Sequence, residues 1–161
     1  MKKLIVFFSL NGNTKLIAEN ISEEINADIL ELKYTKERKT KGFMKYFIGG
    51  REVLKKLKPE LLPFDKNPAD YDLIFIGTPV WTSTFTPPFN TFFTTNRLRD
   101  KKIALFCCYG GAEGKTFKNI KQLLRGGEIV GEIGFKEPIK KDKEKNIEKA
   151  KEWAKNIINA K

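Results

Sequence analysis

The stretch LIVFFSLNGNTKLIAENISEEI, residues 4–25, decides how the rest of the chain is interpreted. It joins an apolar run at 4–8 to a segment at 14–25 whose apolar residues recur at helical spacing. The junction between them is Ser9-Leu10-Asn11-Gly12-Asn13-Thr14. A helix that begins directly after a buried strand offers unpaired N–H donors and a positive dipole end, so this junction predicts a phosphate site. Asn and Thr are also ordinary helix caps, so a plain cap and turn remains the alternative.

Length and composition limit the classes of protein that remain. The 161 residues predict a single domain spanning 1–161, and 40% of them are hydrophobic. The longest apolar runs fall far short of the roughly 20 residues that cross a membrane. The only cysteines, Cys107 and Cys108, are adjacent and form no disulfide framework, so we expect a cytoplasmic protein. The chain has no histidine, so we expect no metal site and no catalytic triad.

The formal net charge of +11 favours an anionic partner. Nucleic acid, an anionic membrane and an acidic protein are the three candidates. The lysines are concentrated at 33–58 and 136–161 and are not interleaved with aromatic residues, which disfavours nucleic acid. The lysine-rich surface of a stable protein is the alternative to an anionic partner, because joint enrichment in Lys and Glu is a common thermophile signature. We therefore expect no nucleic acid and no membrane as partner.

Strands and helices alternate along the chain. The predicted strands are 3–8, 28–32, 73–77, 103–108 and 128–135, and the predicted helices are 14–25, 43–57, 89–95, 116–124 and 143–160. Alternation of this kind predicts an α/β fold with a parallel sheet covered by helices on both faces. Ligands bind such sheets beyond the carboxyl ends of the strands. Three loops of unusual composition follow strands here, at 9–14, 78–88 and 107–114.

Those three loops carry a resemblance to a known family. With the junction at 9–14, the motifs are Gly77-Thr78-Pro79-Val80-Trp81 and Cys108-Tyr109-Gly110-Gly111. The chain resembles the flavodoxin family over nearly its whole length. The resemblance implies a flavodoxin-like three-layer sandwich, with a five-stranded parallel sheet of order 2-1-3-4-5. It also implies flavin mononucleotide (FMN) as cofactor, its phosphate in the first loop and its isoalloxazine ring between the other two. The implied cofactor-binding residues are Ser9, Leu10, Asn11, Gly12, Asn13, Thr14, Thr78, Pro79, Val80, Trp81, Thr82, Cys108, Tyr109, Gly110 and Gly111.

The chemistry of these residues agrees with that cofactor. No lysine or arginine lies between residues 4 and 14, so we expect amides and hydroxyls to hold the phosphate without a cationic side chain. Trp81 is expected to stack on the ring, although a core or interface tryptophan is the alternative. Gly110 and Gly111 would let the backbone approach the ring, or form a plain turn. The adjacent cysteines face opposite ways, and we expect both to be inert thiols.

Other ligands of doubly wound folds need residues that this chain lacks. A Walker nucleotide loop ends in Gly-Lys-Ser/Thr, whereas here the loop ends in Asn13-Thr14. A phosphorelay receiver needs an aspartate at the end of the middle strand, where Gly77 and Thr78 stand. A cysteine phosphatase needs an arginine six residues after its nucleophile, and those positions hold Glu113 and Gly114.

Three functions remain open. The first is an FMN-binding electron carrier that works with an acidic redox protein, as a monomer or homodimer. The second is an FMN-dependent NAD(P)H oxidoreductase acting on a quinone or other small acceptor, and the third is a basic binding module without flavin. Many flavodoxins have a glycine near the flavin whose peptide flips, but none lies between 78 and 109, so positive φ is disfavoured there. The segment 42–57 is expected to lean over the flavin, to pair with another subunit or to complete the core.

Overall fold

The computed structural model describes residues 1–35, 51, 53 and 55–160. The strands are β1 (Lys3–Phe7), β2 (Asp28–Glu31), β3 (Leu73–Pro79), β4 (Lys102–Tyr109) and β5 (Glu128–Lys136). The helices are α1 (Asn13–Ile25), α2 (Pro88–Thr95), α3 (Thr116–Leu123) and α4 (Lys143–Asn159), with a 3₁₀ turn at Pro68–Asp70. The predicted helix at 43–57 lies mostly outside the described residues.

The five strands form one parallel sheet of order β2-β1-β3-β4-β5, which confirms the predicted order. Ile5 in β1 is in register with Ile29 on one side and with Phe75 on the other. Strand β3 is central, and its residues from Leu73 to Thr78 are all buried. A strand covered on both faces has no polar side, which is why residues 73–77 are continuously apolar.

Two hydrophobic cores lie on opposite faces of this sheet. Successive side chains of a strand point to opposite faces. Leu4 and Val6 of β1 therefore join one core, with Phe89 and Phe92 of α2 and Ile120 of α3. The other core contains the alternate residues of β1 and the inner residues of α1 and α4, namely Ile5, Phe7, Ile17, Ile21, Ala150 and Ala154. The predicted three-layer sandwich is confirmed.

Strand β3 runs two residues further than predicted. Pro79 is in register with Cys108, and the amide of Val80 donates a 2.9 Å hydrogen bond to the carbonyl of Cys108. Proline lacks an N–H donor, but β1 pairs with β3 only as far as Gly77, so the missing donor of Pro79 removes no hydrogen bond to β1. Thr78 is therefore part of the sheet, and the loop that follows begins after Pro79. Of the helices in the described part of the chain, none has the length and apolar character that a bilayer span needs.

Candidate functional site

A crevice of about 550 Å³ opens at the carboxyl ends of the central strands. This volume lies in the range of about 300–1,000 Å³ that is typical of small-molecule sites. The predicted residues that line it are Ser9, Leu10, Asn11, Asn13, Thr14, Pro79, Val80, Trp81, Thr82, Cys108, Tyr109 and Gly110. Three further lining residues, Glu137, Ile139 and Lys140, come from the loop after β5 and were missed by the sequence reasoning.

At the start of α1, the first loop presents the backbone amides of Asn13 and Thr14. Gly12 is the N-cap residue at a φ of 85°, a left-handed conformation that favours glycine. The Lys15 amide donates to Ser9 Oγ at 3.2 Å. The amides of Asn13 and Thr14 donate no hydrogen bond within the described part of the chain. Unpaired donors at the positive end of a helix dipole are suited to bind an anion.

The hydroxyl of Thr14 is a further hydrogen-bond donor at this helix start. The residue is only 1% exposed, and its Oγ1 has no hydrogen-bond partner in the part of the chain that the structure describes. The hydroxyl lies beside the thiol of Cys108, and sulfur is too weak a hydrogen-bonding group to satisfy it. Burial raises the pKa of that thiol to about 12, against a smaller opposing effect of Thr14. A buried polar group without a good partner costs about 1–3 kcal/mol, which an anionic ligand accepting from the hydroxyl would offset.

The second loop places Trp81 on the wall of the crevice. The indole packs edge-on against Phe8, with ring centroids 5.8 Å apart and planes at 87°. Phe8 in turn packs edge-on against Tyr34 at 5.5 Å. The Trp81 amide donates to the carbonyl of Thr84 at 2.8 Å, and the Thr84 amide donates back at 3.0 Å. Trp81 therefore belongs to a tight turn and is supported by aromatic rings, although its side chain is not fully buried.

The turn after Trp81 adopts a conformation that the sequence reasoning considered unfavourable. Thr82 has a φ of 49° and Ser83 a φ of 61°, although neither is glycine. Lys115, the residue before α3, holds this turn in place, because its amide donates to the Ser83 carbonyl at 2.7 Å. Asn119 Nδ2 also donates to Thr84 Oγ1 at 2.8 Å. Tertiary contacts therefore offset the backbone strain, of the order of 1–3 kcal/mol for each such residue.

Three predicted site residues do not line the crevice. Thr78 is fully buried, and its Oγ1 accepts a hydrogen bond from the Thr86 amide at 3.2 Å. Thr78 thus joins the two ends of the loop that carries Trp81. Gly12 lies at the N-cap of α1, where its backbone forms the turn that leads into the helix. Gly111 is exposed beyond the crevice, and a Cβ there would meet no atom within 4 Å.

The third loop contributes a thiol and a tyrosine. Cys108 lines the crevice, whereas Cys107 is fully buried and is absent from the crevice lining. Burial raises the pKa of the Cys107 thiol above its ordinary value, so both thiols are neutral at physiological pH. Burial also raises the pKa of Tyr109, with a further contribution from the carboxylate of Glu113. The residues of the third loop that line the crevice, Cys108, Tyr109 and Gly110, are therefore all uncharged.

A fourth loop, after β5, completes the crevice. The Glu137 amide donates to the Tyr109 carbonyl at 2.9 Å, and the Ile139 amide donates to Asn13 Oδ1 at 3.0 Å. Lys140 from this loop lines the crevice, so the crevice has a cationic side chain that the sequence reasoning did not assign to it. The sequence does contain a signal that this fourth loop belongs to the crevice, because it too follows the carboxyl end of a predicted strand. Its composition is ordinary, so it did not stand out.

Fold and crevice together define a doubly wound α/β protein with a crevice at the topological switch point, beside a helix start that is suited to bind an anion. The family model described as flavodoxin matches residues 2–157. The chain belongs to the flavodoxin family. No curated protein matches its sequence.

Solved structures of flavoproteins share the fold. A flavoprotein from Lactobacillus acidophilus, crystallised in complex with FMN, is 26% identical, with a TM-score of 0.72, 88% of this chain covered and 97% of that one. The two-electron reduced flavodoxin of Megasphaera elsdenii is 23% identical, with a TM-score of 0.59 and coverages of 96% and 99%. Oxidised flavodoxin 2 of Bacillus cereus is 22% identical, with a TM-score of 0.59 and coverages of 98% and 98%.

Proposed function

We propose that this protein binds FMN in the crevice and carries electrons between redox partners. The observation that carries the proposal is the start of α1, where the Asn13 and Thr14 amides, which donate no hydrogen bond to any described residue, lie beside the buried hydroxyl of Thr14. A ring-sized crevice with an indole on its wall adjoins that site. Family membership and the FMN complex of the Lactobacillus acidophilus flavoprotein support the same cofactor.

Each loop would have a separate role in holding FMN. Residues 9–14 would bind the phosphate through amides and hydroxyls. Trp81 and Tyr109 would flank the flat ring, and the backbone at Gly110 would approach its polar edge. FMN supplies the redox chemistry, while the protein binds it, orients it and excludes water from part of it. No side-chain acid or nucleophile is required, which suits a chain without histidine.

Replacing Thr14 with valine is expected to change apo stability and FMN binding in opposite directions. Valine has nearly the same shape but no hydroxyl to leave unpaired, so the free energy of unfolding of the FMN-free protein should rise by about 1 kcal/mol. FMN affinity should fall, because the phosphate loses a donor. Urea unfolding without FMN and flavin fluorescence titration measure the two effects. Tighter FMN binding by the Thr14→Val variant would contradict the proposed phosphate site.

A carrier and a reductase differ in their response to nicotinamide. We expect anaerobic stopped-flow mixing of the FMN-loaded protein with NADH or NADPH to give slow reduction that does not saturate. Dithionite serves as the control that the bound flavin can be reduced. Rapid and saturable reduction by either nicotinamide alone would replace the carrier with the NAD(P)H oxidoreductase.

The redox partner is proposed to be an acidic protein in the cytoplasm. The net charge of +11 would attract an acidic surface, and association should slow as salt rises. Cys107 and Cys108 are both free thiols, which suits a reducing compartment. An electron-transfer rate that is independent of salt would count against the acidic partner.

A further inference from the structure

The loop after β5 lies directly against the predicted phosphate site. The Ile139 amide is hydrogen-bonded to Asn13 Oδ1 at 3.0 Å. On the same side, Ile139 Cδ1 would lie 3.4 Å from a Cβ built on Gly12. Lys140 is the next residue and lines the same crevice as Asn13 and Thr14. The crevice therefore has a lysine on a loop that is joined to the anion-binding turn.

Lys140 is loosely held in this structure. Its Nζ lies 3.8 Å from Glu137 Oε1, and its side chain is 76% exposed. The same carboxylate has a closer partner, because Lys141 Nζ lies 3.2 Å from Glu137 Oε2. The hydrogen bond from Lys141 is the main cause of the lowered pKa of Glu137, and Lys140 contributes less. If Lys140 moves away from Glu137, the carboxylate of Glu137 still has Lys141 as its ionic partner.

Because the backbone of this loop is fixed, a change of ionic partner by Lys140 involves its side chain alone. The backbone of the loop is fixed by hydrogen bonds from the Lys140 and Lys141 amides to the Glu137 carbonyl, at 2.9 and 3.0 Å. The Glu137 amide is itself bonded to the carbonyl of Tyr109. A long, flexible lysine side chain on a fixed backbone can exchange one anionic partner for another at little cost. A phosphate near Asn13 and Thr14 would carry about two negative charges, against one on Glu137.

We propose that Lys140 transfers from Glu137 to the phosphate of the bound flavin and is a specificity-determining residue for FMN over riboflavin. This inference rests on the proposed function, since it needs FMN in the crevice. It adds a cation from the fourth loop to a phosphate site whose own residues, 9–14, supply none. Riboflavin has the same ring but no phosphate, so it would not draw Lys140 away from Glu137.

The test compares FMN and riboflavin dissociation constants, by quenching of flavin fluorescence, in the wild-type protein and three variants. At low salt, Lys140→Gln should weaken FMN binding about fivefold and leave riboflavin binding unchanged. High salt should shrink the FMN effect. Lys140→Arg keeps the charge and should retain most of the preference for FMN. Lys143→Gln is the matched control, since Lys143 is exposed, makes the same charge change and does not line the crevice.

Two results would overturn the proposal in different ways. If Lys140→Gln and Lys143→Gln bind FMN equally well while the wild-type protein still prefers FMN to riboflavin, Lys140 has no role and the FMN site itself stands. If the wild-type protein does not bind FMN, the proposed function fails, and the role of Lys140 fails with it.

Discussion

Replacing Gly77 with alanine is expected to lower the free energy of unfolding by about 2–3 kcal/mol. Gly77 lies in the middle of the sheet, in register with Phe106 of β4. A Cβ on Gly77 would lie 2.1, 2.4 and 2.7 Å from three atoms of the Phe106 ring. Phe106 is fully buried, so its ring cannot turn away into solvent. The added methyl group therefore has to displace the ring or the strand within a close-packed core.

Urea unfolding of the FMN-free protein measures this effect. Gly111→Ala is the matched control, because a Cβ on Gly111 would meet nothing within 4 Å and no positive φ is required there. The control should change the free energy of unfolding by less than about 0.5 kcal/mol. Equal stability of the two variants would mean that the ring of Phe106 does not cover Gly77 as described.

Replacing Gly114 with alanine is expected to weaken FMN binding about tenfold, which corresponds to about 1.4 kcal/mol. Gly114 has a φ of 60°, and a Cβ there would lie 2.7 Å from Ser83 Cα and from Ser83 O. These are backbone atoms of the strained turn at 81–84, so the turn itself has to move. Its movement would break the hydrogen bond from the Lys115 amide to Ser83 and shift Trp81 away from its position on the crevice wall.

Flavin fluorescence titration gives the affinity, and the visible circular dichroism of bound FMN reports the position of the indole. Asn119→Ala removes only the side-chain hydrogen bond to Thr84 and should cause a smaller loss in the same direction. If Gly114→Ala binds FMN as tightly as the wild-type protein, the contacts from α3 do not position Trp81 for the cofactor.

Most of the fold could be predicted because its signals are local. Alternation of apolar strands with helical periodicity, and the junction at 9–14, indicated the parallel sheet and its helices. The resemblance carried by three loops supplied the strand order. The ends of the strands were predicted less accurately than their existence. The end of β3, for example, depends on the pairing of Pro79 with Cys108, which is distant in sequence.

The parts of the site that escaped prediction depend on contacts distant in sequence. Lys140 lines the crevice because the loop after β5 is tied to Asn13, 126 residues away from Ile139. Thr82 and Ser83 reach positive φ because Lys115 and Asn119 hold their turn. Their own residue types disfavour that conformation. Loop composition alone carries no information about such tertiary constraints.

The central claim is that the helix start beyond β1 binds the phosphate of a flavin through backbone amides. Amide ¹H–¹⁵N NMR spectra during titration with FMN and, separately, with riboflavin test it most directly. We expect the Asn13 and Thr14 amides to shift strongly and saturably with FMN, and to move little with riboflavin. Tight FMN binding that leaves those two amide signals in place would contradict the claim.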